Sequence, residues 1–326
     1  MKIKDYVLYW YKIYRMPRQE RTTQQTYLSA INNHIVGSEL GEMEINEVET
    51  RHIQEFLTEE LLHGKKTTLK HKSYIGEPLT PHTIIKLRQI LVAAFKQAIK
   101  EGYISHNVAE DTETVSVPWK DVPVFTSENQ RKFLAKTRHH RFHTAYTLLF
   151  FLGCRRSELL GLSWDAIDLR RNVLQIRQVL VMEDGKPVIR QRTKTKASLR
   201  TIPFPTEIRA MLQDWREKQR KESEAEGYNN EYNLVFCNKD GSPHNPTYFS
   251  RNFKNTVKRL GFLPKELHVH SARHTWATNA MQCGIAITDA QYLGGWSKPD
   301  TLLNVYAHTV KDSQRKAMKK LFKEFQ

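Results

Sequence analysis

Apolar residues in the first third of the chain recur at helical spacing. Between positions 4 and 14 they fall at Tyr6, Val7, Trp10, Tyr11 and Tyr14, one face of a 3.6-residue period. The same style runs over positions 23–36 and stops at Gly37, a residue suited to a helix C-terminus. Residues 50–63 carry Ile53, Phe56, Leu57, Leu61 and Leu62 on one stripe, and Gly64 follows. Thr80 then Pro81 predict an N-cap and a first helical residue, opening a long amphipathic helix to about Lys100. Four helices in this span predict a small bundle.

Residues 110–124 break the period and contain Pro118 and Pro123, which predicts a linker. The expected division is a helical domain over 1–116, a linker over 117–124 and a second domain over 125–326. Helix resumes at Ser127, with Gln130 as a capping-box partner. Further helices are predicted near 128–137 and 142–152, with a short one between Arg155 and Gly161. Positions 172–181 alternate as a strand does. Asp184-Gly185 is a hairpin signal, and strands are predicted near 188–191 and 199–202. Helical pattern returns at 206–222 and holds through most of the C-terminus. The fold class expected is mainly α with a small antiparallel β-sheet, an α+β second domain following a helical bundle.

Charge changes this picture. Lys and Arg total 51 against 35 Asp and Glu, a net charge of +16 over 326 residues. Such an excess favours a polyanion partner, and nucleic acid is the first candidate. The longest apolar run, 145–154, is half of the ~20 residues that span a bilayer, so no membrane association is expected. Cys154, Cys237 and Cys283 form no CxxC pair and indicate neither a disulfide framework nor a zinc ribbon. A reducing, cytoplasmic setting is expected.

Four segments hold the candidate chemistry. In Gly153-Cys154-Arg155-Arg156-Ser157-Glu158, a Glu three residues after Arg155 can orient a guanidinium and leave donors for an anion. In Gln191-Arg192-Thr193-Lys194-Thr195-Lys196, a lysine lies between two predicted strands. In His268-Val269-His270-Ser271-Ala272-Arg273-His274, His270 and Arg273 share one helix face. These histidines lack HExxH spacing, and the segment holds no carboxylate and no paired Cys, so no metal is expected. The fourth segment is Gly294-Gly295-Trp296-Ser297, followed by Tyr306-Ala307-His308.

In this order, and in a basic two-domain chain, these segments resemble the tyrosine recombinase (phage integrase) family. GCRRSELLGLSW resembles its first-arginine box, HVHSARHTWATNAMQCG its His-x-x-Arg helix and NVYAH its nucleophile segment. Residues 234–261 resemble the stretch before the His-x-x-Arg box. The resemblance covers about 124–308 by motif, and the N-terminal third matches in length and helical character. It implies a site-specific recombinase or integrase of a phage or conjugative element, using no cofactor. Tyr306 would attack phosphorus to give a 3′-phosphotyrosyl link, with Arg155 and Arg273 on the nonbridging oxygens. His270 would handle the nucleophile's proton, and Lys194, or alternatively Lys196, would protonate the leaving oxygen. Trp296 would fill a position that is His in many relatives and donate its indole N–H; Glu158 would support from behind. The implied partner is double-stranded DNA, held by backbone contacts from Lys65, Lys66, Lys70, Lys72, Lys86 and Arg88 among others. The C-terminal segment, with Ala317, Met318, Leu321, Phe322 and Phe325 on one face, would exchange between subunits of a homotetramer on DNA. An excisionase or a host DNA-bending protein would complete the assembly. The alternatives are a Xer-type chromosome-dimer recombinase, a type IB topoisomerase and a non-catalytic DNA-binding regulator.

Overall fold

The structure, a computed structural model, describes residues 1–66, 75–118, 122–191 and 199–306, together with positions 318 and 322. The chain divides into two compact units, Met1–Trp119 and Lys120–Gln326.

The first unit is helical. Helix α1 (Ile3–Trp10) runs into a π-helical turn, Tyr11–Arg15, and α2 (Arg21–Ala30) into another, Ile31–Ile35. A short α3 (Glu39–Glu42) follows, then α4 (Thr50–His63) and α5 (Pro81–Lys100). The core joins Ile3, Tyr6, Val7 and Trp10 of α1 to Ile53 and Leu57 of α4 and to Leu87, Leu91 and Phe95 of α5. Each such side chain contributes roughly 1.5–3 kcal/mol by leaving water, which sets the apolar stripes inward. Tyr11, also buried, stacks on Tyr27 with ring centroids 5.6 Å apart. Thr80 is the extended N-cap residue of α5, and Pro81 takes the first helical position as expected.

The second unit opens with α6 (Ser127–Lys136), α7 (His143–Leu152) and α8 (Arg156–Leu160). The cap of α6 is Thr126, not Ser127: its hydroxyl accepts from the Asn129 amide at 3.1 Å. The expected β structure is present and divides between two antiparallel sheets. One has β1 (Ile167–Asp168), β2 (Val173–Ile176) and, beside β2, β5 (Arg200–Pro203). The other is a hairpin of β3 (Gln178–Glu183) and β4 (Lys186–Gln191). Asp184 and Gly185 both take positive φ in its two-residue turn, as that turn type requires. Helices α9 (Thr206–Glu226), α10 (Pro246–Leu260), α11 (Val269–Gln282) and α12 (Ile287–Gly294) follow. The last described helix is α13 (Pro299–Tyr306). Phe125, Phe133, Tyr146, Phe150, Phe249 and Phe253 form the aromatic centre of the core, with edge-on pairs such as Phe125–Phe150 at 4.9 Å. No helix among the described residues is long and apolar enough to cross a membrane.

Candidate active site

The apolar helix α7 ends at Gly153, whose φ of 58° is left-handed. A Cβ there would lie 2.3 Å from the Trp276 ring, so both backbone and space demand glycine. G153A is expected to lose about 1–2 kcal/mol to the backbone alone, and more to displacement of Trp276. A melting temperature lowered by several degrees checks this.

The turn delivers Arg155 as the extended N-cap residue of α8. Glu158, three residues on, accepts from the Arg155 amide and from Arg155 Nη1, each at 2.9 Å. The spacing read from the sequence thus does what it promised. Glu158 is wholly buried and also receives Arg200 Nη2 at 2.8 Å. Burial alone would raise its pKa, but Arg200, the Arg155 amide and the Arg155 charge bring it down to about 2. The carboxylate is therefore a fixed negative charge at neutral pH.

Arg273 lies on α11 and is 4% exposed. Its Nη1 donates to the Gly153 carbonyl at 2.6 Å and to the Gly294 carbonyl at 2.5 Å. Its guanidinium carbon sits 3.7 Å from the centroid of the Trp296 ring. Trp296 in turn stacks on Trp276, with centroids 5.8 Å apart and planes 19° from parallel. Burial, then the charge of Arg155, push the Arg273 pKa down to about 9, which still leaves it charged at neutral pH. Arg155 Nη2 donates to the Gly295 carbonyl at 2.8 Å. Two guanidinia from distant parts of the chain therefore meet on adjacent carbonyls of one turn.

His270 shares its helix with Arg273 and keeps an exposed side chain. Partial burial and then the charges of Arg273, His268, Arg155 and Arg156 hold its pKa below the ordinary histidine value. Its ring is edge-on to His274 at 5.7 Å. Tyr306 is the last residue of α13, a helix packed against α11 and α12 through Leu302, which is buried among Ala277, Ala280, Ala290 and Trp296. Lys194 and Lys196 lie outside the described residues, between Gln191 of β4 and Arg200 of β5. So do Lys70 and Lys72.

The remaining basic candidates lie in the first unit. Lys65 pairs with Glu77 at 2.5 Å and Lys66 with Glu60 at 3.2 Å. Lys86 sits 5.6 Å from the centre of the Tyr27 ring. Arg88 spends its donors inside the unit, on the Thr112 hydroxyl (2.8 Å) and the carbonyls of Glu110 (2.8 Å) and Thr112 (2.9 Å). That fork pins the segment after α5.

Sequence reasoning missed Arg200 and Trp276. The signal for Arg200 was strand alternation, which puts it on the same face as the apolar Ile202. For Trp276 there was none beyond its helical position, since its partner Trp296 comes from another element.

Comparison with known proteins agrees with this geometry. Residues 123–313 match the phage integrase family, and residues 2–61 match the phage integrase N-terminal SAM-like domain. A tyrosine recombinase XerC-like protein of Caldanaerobacter subterraneus subsp. tengcongensis is 27% identical, over 95% of this chain and 80% of the relative. The ICEBs1 integrase of Bacillus subtilis is 23% identical, over 89% and 75% respectively. Among solved structures, the Tn1549 transposon integrase in complex with transposon right-end DNA superposes with a TM-score of 0.80 at 22% identity. The match covers 98% of this chain and 99% of that one, and it carries the fold. With a family match across most of the second unit, the chain belongs to the phage integrase family and is a tyrosine-type site-specific recombinase.

Proposed function

We propose that the chain integrates and excises a mobile element, and that Arg155, Lys194, His270, Arg273 and Tyr306 carry its chemistry on double-stranded DNA. The observation that supports this most is the meeting of Arg155 and Arg273 on the carbonyls of Gly295 and Gly294. The relatives that are element-borne integrases support the mobile-element setting.

In this reading the phosphodiester enters where the free faces of the two guanidinia converge. Phosphoryl transfer needs positioning and charge stabilisation above all. Arg155 and Arg273 supply planar donors to the nonbridging oxygens, where negative charge grows. Tyr306 attacks phosphorus and forms the phosphotyrosyl bond as the bond to the 5′-oxygen breaks. His270 takes the phenolic proton, and Lys194, with Lys196 as the other candidate, gives one to the leaving oxygen. The bond energy stays in the phosphotyrosyl link, so a new 5′-hydroxyl can reverse the step. Trp296 supports Arg273 through its ring by cation–π contact.

Lys65, Lys66 and Lys86, with Lys70 and Lys72, are proposed contacts to the DNA backbone. Exchange of two duplexes requires four strand cleavages, and each chain supplies one nucleophile, so four copies are proposed to act together. Met318 and Phe322 are apolar and 65% and 64% exposed, which suits a tail that docks on a neighbouring subunit. An excisionase or a DNA-bending host protein belongs to the same proposal. The XerC-like relative favours a second reading, resolution of chromosome dimers.

A nicked suicide substrate built from the element's own end tests the function. Covalent trapping is expected there, in the presence of EDTA too, and on no chromosomal dimer site. Binding without trapping would instead support a regulator. The pH profile of trapping follows from His270. Its neutral form accepts the proton and its pKa is held low, so trapping should hold steady down to the ordinary histidine value near 6.5. It should fall only at lower pH, and H270Q should remove that limb.

A further inference from the structure

Arg200 is the first residue of β5 and belongs to none of the motifs above. Register sets it opposite Ile176, with Ile202 opposite Leu174. Alternation then turns Arg200 and Ile202 to the face that packs on the core. A guanidinium thus enters an apolar layer, and its side chain is fully buried. A charge so placed is tolerated only when it is paired and hydrogen-bonded. Arg200 Nη2 donates to Glu158 Oε2 at 2.8 Å and Nη1 to Oε1 at 3.4 Å, while Nε donates to the Leu293 carbonyl at 2.8 Å. A Cβ on Gly295 would sit 2.6 Å from its Nη1, so the turn closes directly onto it. Glu158 is held by Arg200 on one side and holds Arg155 on the other. The carbonyls of Gly294 and Gly295, which receive Arg273 and Arg155, follow directly on the residue that Arg200 grips.

We propose that Arg200 is a positioning residue for strand cleavage: it fixes the Glu158 carboxylate and the 293–295 turn, and through both it sets the guanidinia of Arg155 and Arg273. The proposal rests on the assignment of those two arginines to the phosphate. It gives a buried ion pair a task that a stability role alone does not require.

The distinguishing readout is pH. The charged and titratable groups around Glu158 are Arg155 on α8, Arg200 on β5, Arg273 on α11 and the neighbouring Cys154. R200M removes the strongest cationic partner, and burial then drives the carboxylate toward its neutral form. A protonated Glu158 no longer holds Arg155 by charge. Single-turnover trapping of R200M on the suicide substrate should fall on the order of a hundredfold at pH 7, the scale of a misplaced catalytic group. Its acid limb should also move to higher pH than the wild-type limb. Adding E158Q should return the limb to its wild-type position, because glutamine does not titrate. R200K keeps the charge as a single point donor. It should show a smaller drop and a smaller limb shift, and it carries the test if R200M folds poorly. DNA binding and melting temperature are measured on each variant. Wild-type trapping rates in folded R200M and R200K would overturn the proposal. So would a loss of rate with an unmoved limb, because Arg200 would then act through stability alone. Wild-type trapping by R155A would overturn the assignment underneath, a separate result from either of these.

Discussion

Tyr306→Phe is expected to abolish the covalent protein–DNA adduct while leaving DNA binding and folding intact. The reaction needs an oxygen nucleophile, and phenylalanine removes that atom and little else. Helix α13 keeps its seat because Leu302 is buried among Ala277, Ala280, Ala290 and Trp296 and is left untouched. A phenol with a reference pKa near 10 is mostly protonated at neutral pH. In the proposed mechanism His270 and the two guanidinia activate it, and no other tyrosine shares that setting by sequence. Tyr292 is the sharpest control, since it is exposed and next to the 293–295 turn. Its hydroxyl already accepts from the Thr201 amide at 3.2 Å. Y292F should trap normally. Gel-resolved adduct formation on the suicide substrate, with binding measured alongside, reads both variants.

Arg273→Lys should lower single-turnover cleavage by on the order of 10²–10³-fold, the usual loss when one transition-state donor is removed. The substitution keeps the charge, so DNA affinity should change little. What it removes is planarity. The Arg273 guanidinium carbon sits 3.7 Å from the centre of the Trp296 ring while one nitrogen reaches both the Gly153 and Gly294 carbonyls. An ammonium is a point donor on a flexible stem and cannot stack and span in this way. The Trp296 ring would then lose its guanidinium partner, and a modest drop in melting temperature should accompany the kinetic loss. Near-wild-type cleavage by R273K would show that charge alone suffices and that the stack is incidental.

Much of this was legible in the sequence where the cause is local. The Arg155–Glu158 contact spans three residues, and helical geometry fixes it. His270 and Arg273 on one face of α11, and the Asp184-Gly185 turn, follow from equally short-range rules. The stripes of α1, α4 and α5 named the first core because burial of apolar area dominates helix placement. What was not legible depends on partners far apart in the chain. Arg200 looks like one more lysine-loop neighbour until its strand pairs with β2 and brings it to Glu158. The contacts of the Trp296 ring with Arg273 and with Trp276 likewise join distant elements. The fork of Arg88 onto the 110–112 backbone joins residues too far apart for any local rule to show. The Thr126 cap was missed by one residue because threonine and serine are both good caps and stand side by side.

The central claim is that Tyr306 forms a phosphotyrosyl bond to a DNA 3′ end. Mass spectrometry of the trapped wild-type adduct after nuclease and protease digestion tests it most directly. One modified peptide is expected, bearing a nucleotide joined through its 3′-phosphate to Tyr306, together with a free 5′-hydroxyl on the released strand. A nucleotide on another side chain, a 5′-phosphate linkage, or a broken strand with no protein attached would contradict it.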